Sequence, residues 1–169
     1  FSLNVLFVFI LDCGATDHLV NCLDAFINLR KLLRPRCFKC ANKSSDADII
    51  VRHADDILLQ NPETKELIKL KNVGYLPDLP HNLFSALKVK NKLRFIIDGD
   101  KTYIINKSNN NLIQTAQCNG RFWRMNFEIP SSEIHPKERE AYVMREESKL
   151  GGRKSIKLNK SWLNFLEIW

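Results

Sequence analysis

The sequence predicts a mainly β chain, and three observations carry that prediction. The run Leu3 to Asp12 is continuously apolar, rich in Val, Phe, Ile and Leu, and stops abruptly at Asp12-Cys13-Gly14. Four β-prone segments follow residue 92, separated by Asp98-Gly99-Asp100, Ser108-Asn109-Asn110-Asn111 and Asn119-Gly120. Asp-Gly and Asn-Gly tolerate the positive φ that tight hairpins require, and nothing helical competes between residues 93 and 127. The chain has 169 residues, 44% hydrophobic and 27% charged, with 6 Gly and 6 Pro. That is too apolar for disorder and too poor in Gly and Pro for a fibrous protein.

Taken in order, Leu3 to Asp12 reads as a strand buried on both faces that runs into a tight loop. Leu23, Phe26, Ile27, Leu32 and Leu33 have weakly helical spacing, which Pro35 should end. Asp48 to Arg52 and Ile57 to Leu59 read as short strands, and Leu67 to Leu70 as another across a polar turn at Asn61 to Lys65. Tyr75 to Pro80 holds two prolines and should be an extended connector. Leu83, Phe84 and Leu87 share a helical face, with Asn82 as the expected N-cap. Leu93 to Ile97, Thr102 to Asn106, Leu112 to Ala116 and Arg121 to Phe127 form the expected meander. After Pro130 the chain turns charged and helix-permissive, so residues 131–169 are expected to be a mostly helical or irregular tail.

Lys and Arg number 26 against 19 Asp and Glu, a net charge of +7. This balance permits nucleic-acid contact, but along the sequence the cations are scattered rather than striped. The apolar start is too short to span a bilayer and lacks the flanks of a signal peptide, so no membrane partner is expected. The chain begins at Phe1, which suggests an internal piece of a longer reading frame. Five cysteines, an odd number without secretory context, suggest reduced thiols and an intracellular location, cytoplasmic or also nuclear. Cys37-x-x-Cys40 is half a zinc pattern without a second pair, so neither a metal nor any other cofactor is expected.

The candidate chemistry lies in Asp12-Cys13-Gly14-Ala15-Thr16. An Asp at the end of an apolar strand, with Gly two residues on, suits an aspartic peptidase, because a residue without Cβ lets the backbone turn tightly and approach substrate. Two such loops brought together place two carboxylates close enough to share one proton, and one then serves as base toward water. Taken alone, the motif more often marks a turn aspartate capping its own loop. Asp17 reads as solvated, and His18 as a packed, hydrogen-bonded residue rather than a catalyst.

The stretch Ile10-Leu11-Asp12-Cys13-Gly14-Ala15-Thr16-Asp17-His18-Leu19 resembles the protease motif of copia-type retrotransposon Gag-Pol polyproteins. A second block in the right order, Leu70 to Ser85, resembles that family's Val-Pro-x-Leu-x-x-Asn-Leu-hydrophobe-Ser stretch. Its end, Asn82-Leu83-Phe84-Ser85, looks like the strand-to-helix crossing that closes a retroviral-type protease barrel. The resemblance covers about residues 3–127. It implies a retroviral-protease-like β-barrel over residues 1–92, a β-meander over 93–130 leading toward an integrase region and packed on the same barrel, and a charged linker over 131–169. It further implies Asp12 as the catalytic residue, with Cys13, Gly14, Ala15 and Thr16 as its loop. A working enzyme would be a homodimer acting on peptide segments of its own polyprotein, since no second suitable Asp-x-Gly occurs.

Two departures qualify that expectation. The family has Ser or Thr where this chain has Cys13, whose thiol is a weak donor and acceptor. The glycines of the flap expected between His53 and Lys71 are missing, and that segment looks shortened, which would leave the site open to water. The sequence therefore points to a degraded, weak or inactive aspartic-protease-like domain. The alternatives are a working homodimeric endopeptidase and a non-enzymatic module that binds protein or nucleic acid.

Overall fold

The computed structural model describes residues 6–39, 48–130 and 166–168. In chain order the strands are β1 (Leu6–Asp12), β2 (Leu19–Val20), β3 (Arg30–Phe38), β4 (Ile49–Gln60), β5 (Leu67–Tyr75), β6 (Asn82–Ser85), β7 (Leu93–Asp98), β8 (Lys101–Asn106), β9 (Leu112–Cys118), β10 (Trp123–Glu128) and β11 (Leu166–Ile168). One short helix, α1 (Ala86–Val89), follows β6. Among the described residues no helix is long and apolar enough to cross a membrane. The expected tail lies outside the described residues except for β11, which pairs parallel with Ile68 to Leu70 of β5.

The strands follow the order β3-β4-β5-β2-β6-β1-β10-β9-β8-β7. A further bridge, Glu128 of β10 opposite Gln60 of β4, turns the middle of this path into a closed six-stranded barrel. Lys65 reinforces that seam with a 2.9 Å ion pair to Glu128. The polar turn between β4 and β5 is tied to the meander by Asn61, whose Nδ2 donates to the Ile113 carbonyl at 2.8 Å. Strand β3 extends the sheet beyond β4, and β9-β8-β7 extend it beyond β10. The last strand of the meander is thus itself a stave of the barrel.

Burial follows from this arrangement. Strand β1 lies between β6 and β10, and its Phe7, Phe9, Ile10 and Leu11 are all buried, as a continuously apolar strand requires. Phe9 sits edge-on to Phe7, Phe84 and Phe127 at ring separations of 5.3, 6.4 and 5.8 Å. Edge-to-face contacts of this kind are favoured by the ring quadrupole. Ile57, Leu59, Ile68, Leu70, Val73 and Met125 complete the core. At Gly74, a Cβ would stand 2.8 Å from Leu19 Cδ2 and 3.0 Å from Val51 Cγ1, so β5 can approach both only because no side chain intervenes. Gly74→Ala should cost about 1–3 kcal/mol through overpacking. An unchanged urea midpoint would show instead that Leu19 and Val51 give way freely.

The meander forms as expected, with Gly99, Asn110 and Gly120 at φ of 57°, 59° and 85° in its three turns. Elsewhere the structure corrects several expectations. Leu23 to Leu33 is no helix: a single 3-10 turn at Leu23–Ala25 leads to β3. Phe26 is drawn into the core, where it bridges Ile57. Pro35 does not end the segment, because it lies on the sheet edge, where its missing N–H costs no ladder bond. The two short strands expected around residue 50 are one strand, β4. Its polar middle survives burial because Asp55 pairs with Arg30 and Asp56 with Lys69. Strand β5 continues past Leu70 through a bulge in which Asn72 adopts φ 52°. Asn82 is no N-cap: it lies in β6, bonded to the Val8 carbonyl and the Asn21 amide. The helix starts one turn later, capped by Ser85 Oγ, which accepts from the Lys88 amide at 3.1 Å.

Candidate active-site loop

Asp12 is the last residue of β1, and β1 runs parallel to β6 with Asp12 beside Ser85. The Asp12 carboxylate folds back on its own loop. Its Oδ1 accepts from the Gly14 amide at 2.7 Å and from the Ala15 amide at 3.1 Å. A Cβ on Gly14 would meet that oxygen at 3.3 Å, so glycine makes the close approach unstrained. The other oxygen, Oδ2, makes no hydrogen bond among the described residues. Asp12 and Ala15 are half-buried, while Cys13, Gly14 and Thr16 are exposed. The five predicted site residues thus form one outward-facing loop with one carboxylate oxygen fixed and the other free.

What holds the loop is a set of residues behind it. Ser85 Oγ donates to the Ala15 carbonyl at 2.6 Å, and the Ser85 amide donates to His18 Nδ1 at 3.0 Å. The His18 carbonyl accepts from the Gly74 amide at 2.9 Å. His18 is fully buried against Phe84, at a ring separation of 4.9 Å, and its Nε2 has no hydrogen-bond partner. Burial, with the nearby Lys88 charge adding to it, lowers the His18 pKa to about 3, so the imidazole is neutral. The packed role expected for His18 is the one observed.

Asp17 is not solvated as the sequence suggested. It is 8% exposed and forms ion pairs with both Arg36 of β3 and Lys88 of α1. Burial lowers the Lys88 pKa, and its hydrogen bond to the Asp17 carboxylate opposes that shift. Lys88 also donates to the Asn72 carbonyl at 2.9 Å, and Arg36 Nη2 to Asn72 Oδ1 at 3.2 Å. Asp17 therefore ties the Asp12 loop to β3, to the β5 bulge and to α1. Local sequence gave no signal for this clamp, since Arg36 and Lys88 lie 19 and 71 residues from Asp17.

The segment expected to hold a flap, His53 to Lys71, is barrel wall. Ile57, Leu58, Leu59, Ile68 and Leu70 are all buried, and the turn between the two strands is tied to β9 and β10 through Asn61 and Lys65. Cys37 is exposed on β3, while Cys40 lies outside the described residues. Among the described residues no cluster of three or more His, Cys, Asp or Glu side chains could hold a metal ion. Four of the cations, Arg30, Lys31, Arg34 and Arg36, fall within seven residues on the outer strand β3.

No curated protein and no solved structure matches the chain. The model of one family, described as Pol polyprotein, beta-barrel domain, matches residues 9–93. That span takes in the second half of β1 with the Asp12 loop, β2 to β6 and α1, which are the elements that build and hold the candidate site. It covers half of the chain and holds the Asp12 loop, its supports and every barrel strand but β10: the chain belongs to the Pol polyprotein β-barrel domain family.

Proposed function

We propose that this chain is a segment of a copia-type retrotransposon polyprotein whose barrel carries a degraded aspartic-protease-like centre. One observation carries the reading: Asp12 ends a buried strand beside the parallel strand β6, with Oδ1 pinned by the Gly14 amide and Oδ2 free. An aspartyl centre needs that arrangement, because one oxygen must be oriented while the other faces water or a second carboxylate. One chain supplies a single such carboxylate, so catalysis would require a second copy contributing its own Asp12.

Two features weigh against efficient turnover. Cys13 puts a poor hydrogen-bonding group where a hydroxyl would brace two loops across a dimer axis. The wall-like β4–β5 segment offers no cover to exclude water or grip an extended peptide. The test is self-cleavage of the chain extended by flanking polyprotein sequence, compared with Asp12→Asn across pH 4–7. The amide is nearly isosteric, so it removes the acid-base chemistry and leaves packing intact. The degraded reading expects Asp12→Asn and the parent to be equally inert, or the parent to be only weakly active. Cleavage that is brisk in the parent and abolished in Asp12→Asn would establish a working endopeptidase.

A further inference from the structure

Among the described residues the path from β3 to β7 ends in two outer strands, and they are built differently. On β3, register slips between Lys31 and Arg36, so that Leu32, Leu33, Arg34 and Pro35 bulge opposite the single residue Arg52. A bulge, an edge proline and a row of cations are devices that keep another strand from adding to a sheet. Strand β7 has none of them. It pairs with β8 residue for residue, from Leu93 opposite Asn106 to Asp98 opposite Lys101, without a shift. Its other side meets no strand among the described residues. Ile96 and Ile97, which point to opposite faces of the strand, are 41% and 67% exposed. A regular, unguarded edge flanked by exposed isoleucines is a template for strand addition.

We propose that β7 pairs antiparallel with β7 of a second copy, about a two-fold axis at Ile96. The strand is self-complementary in that register. Arg94 faces the partner's Asp98, and Asp98 faces the partner's Arg94. Phe95 faces the partner's Ile97, and Ile96 faces its own counterpart. A shift of one or two residues either way sets Arg94 or Asp98 opposite an apolar side chain. Opposite charges directly across strands stabilise a pair, and apolar residues facing each other bury what is now exposed. Arg94 already donates one Nη2 hydrogen bond to Asn110 Oδ1, at 2.9 Å, which leaves further guanidinium donors for a carboxylate. An isologous contact of this kind closes at two copies, as a two-fold interface must. A foreign peptide would have no reason to match both charge positions, and this occupant does. The contact uses neither Asp12 nor Cys13, so it stands apart from any pairing of the Asp12 loops.

The test uses the full chain. In the proposed register the two Ile96 Cα atoms lie about 4.5–5.5 Å apart, within disulfide reach. Mild oxidation of Ile96→Cys should therefore give a covalent dimer whose bond maps to residue 96. Ile50→Cys, an equally exposed isoleucine near the guarded edge, made together with Cys37→Ser because Cys37 lies directly opposite it, should not link to a second copy. In sedimentation across a concentration series, Arg94→Asp and Asp98→Arg should each weaken self-association roughly tenfold or more, because like charges then face each other. The double variant Arg94→Asp with Asp98→Arg should restore it. These positions are exposed, and unchanged circular dichroism would confirm folding. A monomeric parent, linkage at residue 96 no faster than at residue 50, or a double variant as weak as the singles would each overturn the proposal. So would capture of an added peptide in place of the second copy.

Discussion

Acidification should unfold this protein through His18. The imidazole is buried, its pKa lies near 3 against an ordinary value near 6.5, and its Nε2 has no partner to stabilise a charge. The unfolded chain therefore binds a proton between those two values that the folded chain refuses. A folded pKa below the unfolded one means that the histidine's contribution is intact above pH 6.5 and is lost as pH falls. The full gap corresponds to about 5 kcal/mol by pH 3, and about 2 kcal/mol is already gone at pH 5. Against a typical total of about 5–15 kcal/mol, that is a large loss. Asp55 acts in the opposite direction. Burial raises its pKa, so its ionised form costs stability at neutral pH and acid relieves that cost. Urea denaturation from pH 7 to pH 4 should show stability falling with a slope that approaches one proton. His18→Asn keeps an acceptor near the Ser85 amide and has no titrating group, so its curve should be flatter. An identical slope in both proteins would assign the acid sensitivity elsewhere. The same loss bears on the proposed chemistry, because shared-proton carboxylates work in mild acid, where the frame behind them is beginning to weaken.

The elements legible in the sequence were those specified locally. The apolar run of β1 gives a central strand, and Asp98-Gly99, the Asn109 to Asn111 run and Asn119-Gly120 give the turns of the meander, since both depend on neighbours a few residues away. The Asp12 loop was legible for the same reason: Asp12 and Gly14 make their bond within three residues. The errors arose where distant partners decide. Asp55 and Asp56 look like a strand break until Arg30 and Lys69 neutralise them. Pro35 looks like a terminator until the strand holding it proves to lie at a sheet edge. Asp17 looks solvated because its two cations come from β3 and α1. The contrast between a guarded edge and an open one exists only once the strand order is known.

Removing the Asp17 carboxylate should be the most damaging single change near the site. Asp17 is buried and neutralises two cations at once, Arg36 and Lys88, both of whose side chains are mostly buried. Asp17→Asn keeps the shape and some hydrogen bonding, but strips the Arg36 guanidinium and the Lys88 ammonium of the carboxylate that both contact. Breaking a buried pair by deleting one partner typically costs about 3–5 kcal/mol, because the stranded charge cannot regain its water. The loss of Asp17 also removes the interaction that opposes the burial of Lys88, so the Lys88 pKa should fall further. The exposed carboxylate Asp24 provides the comparison, and Asp24→Asn should change stability by less than about 0.5 kcal/mol. Replacing all three charges, as Asp17→Leu with Arg36→Met and Lys88→Met, should recover much of the loss, since apolar groups of similar volume carry no desolvation cost. Chemical denaturation distinguishes these outcomes, and amide exchange locates them: Gly14 and Ala15, whose amides hold Asp12 Oδ1, should exchange faster in Asp17→Asn. If Asp17→Asn proves no worse than Asp24→Asn, the clamp is hydrated in solution and the Asp12 loop is held by Ser85 and His18 alone.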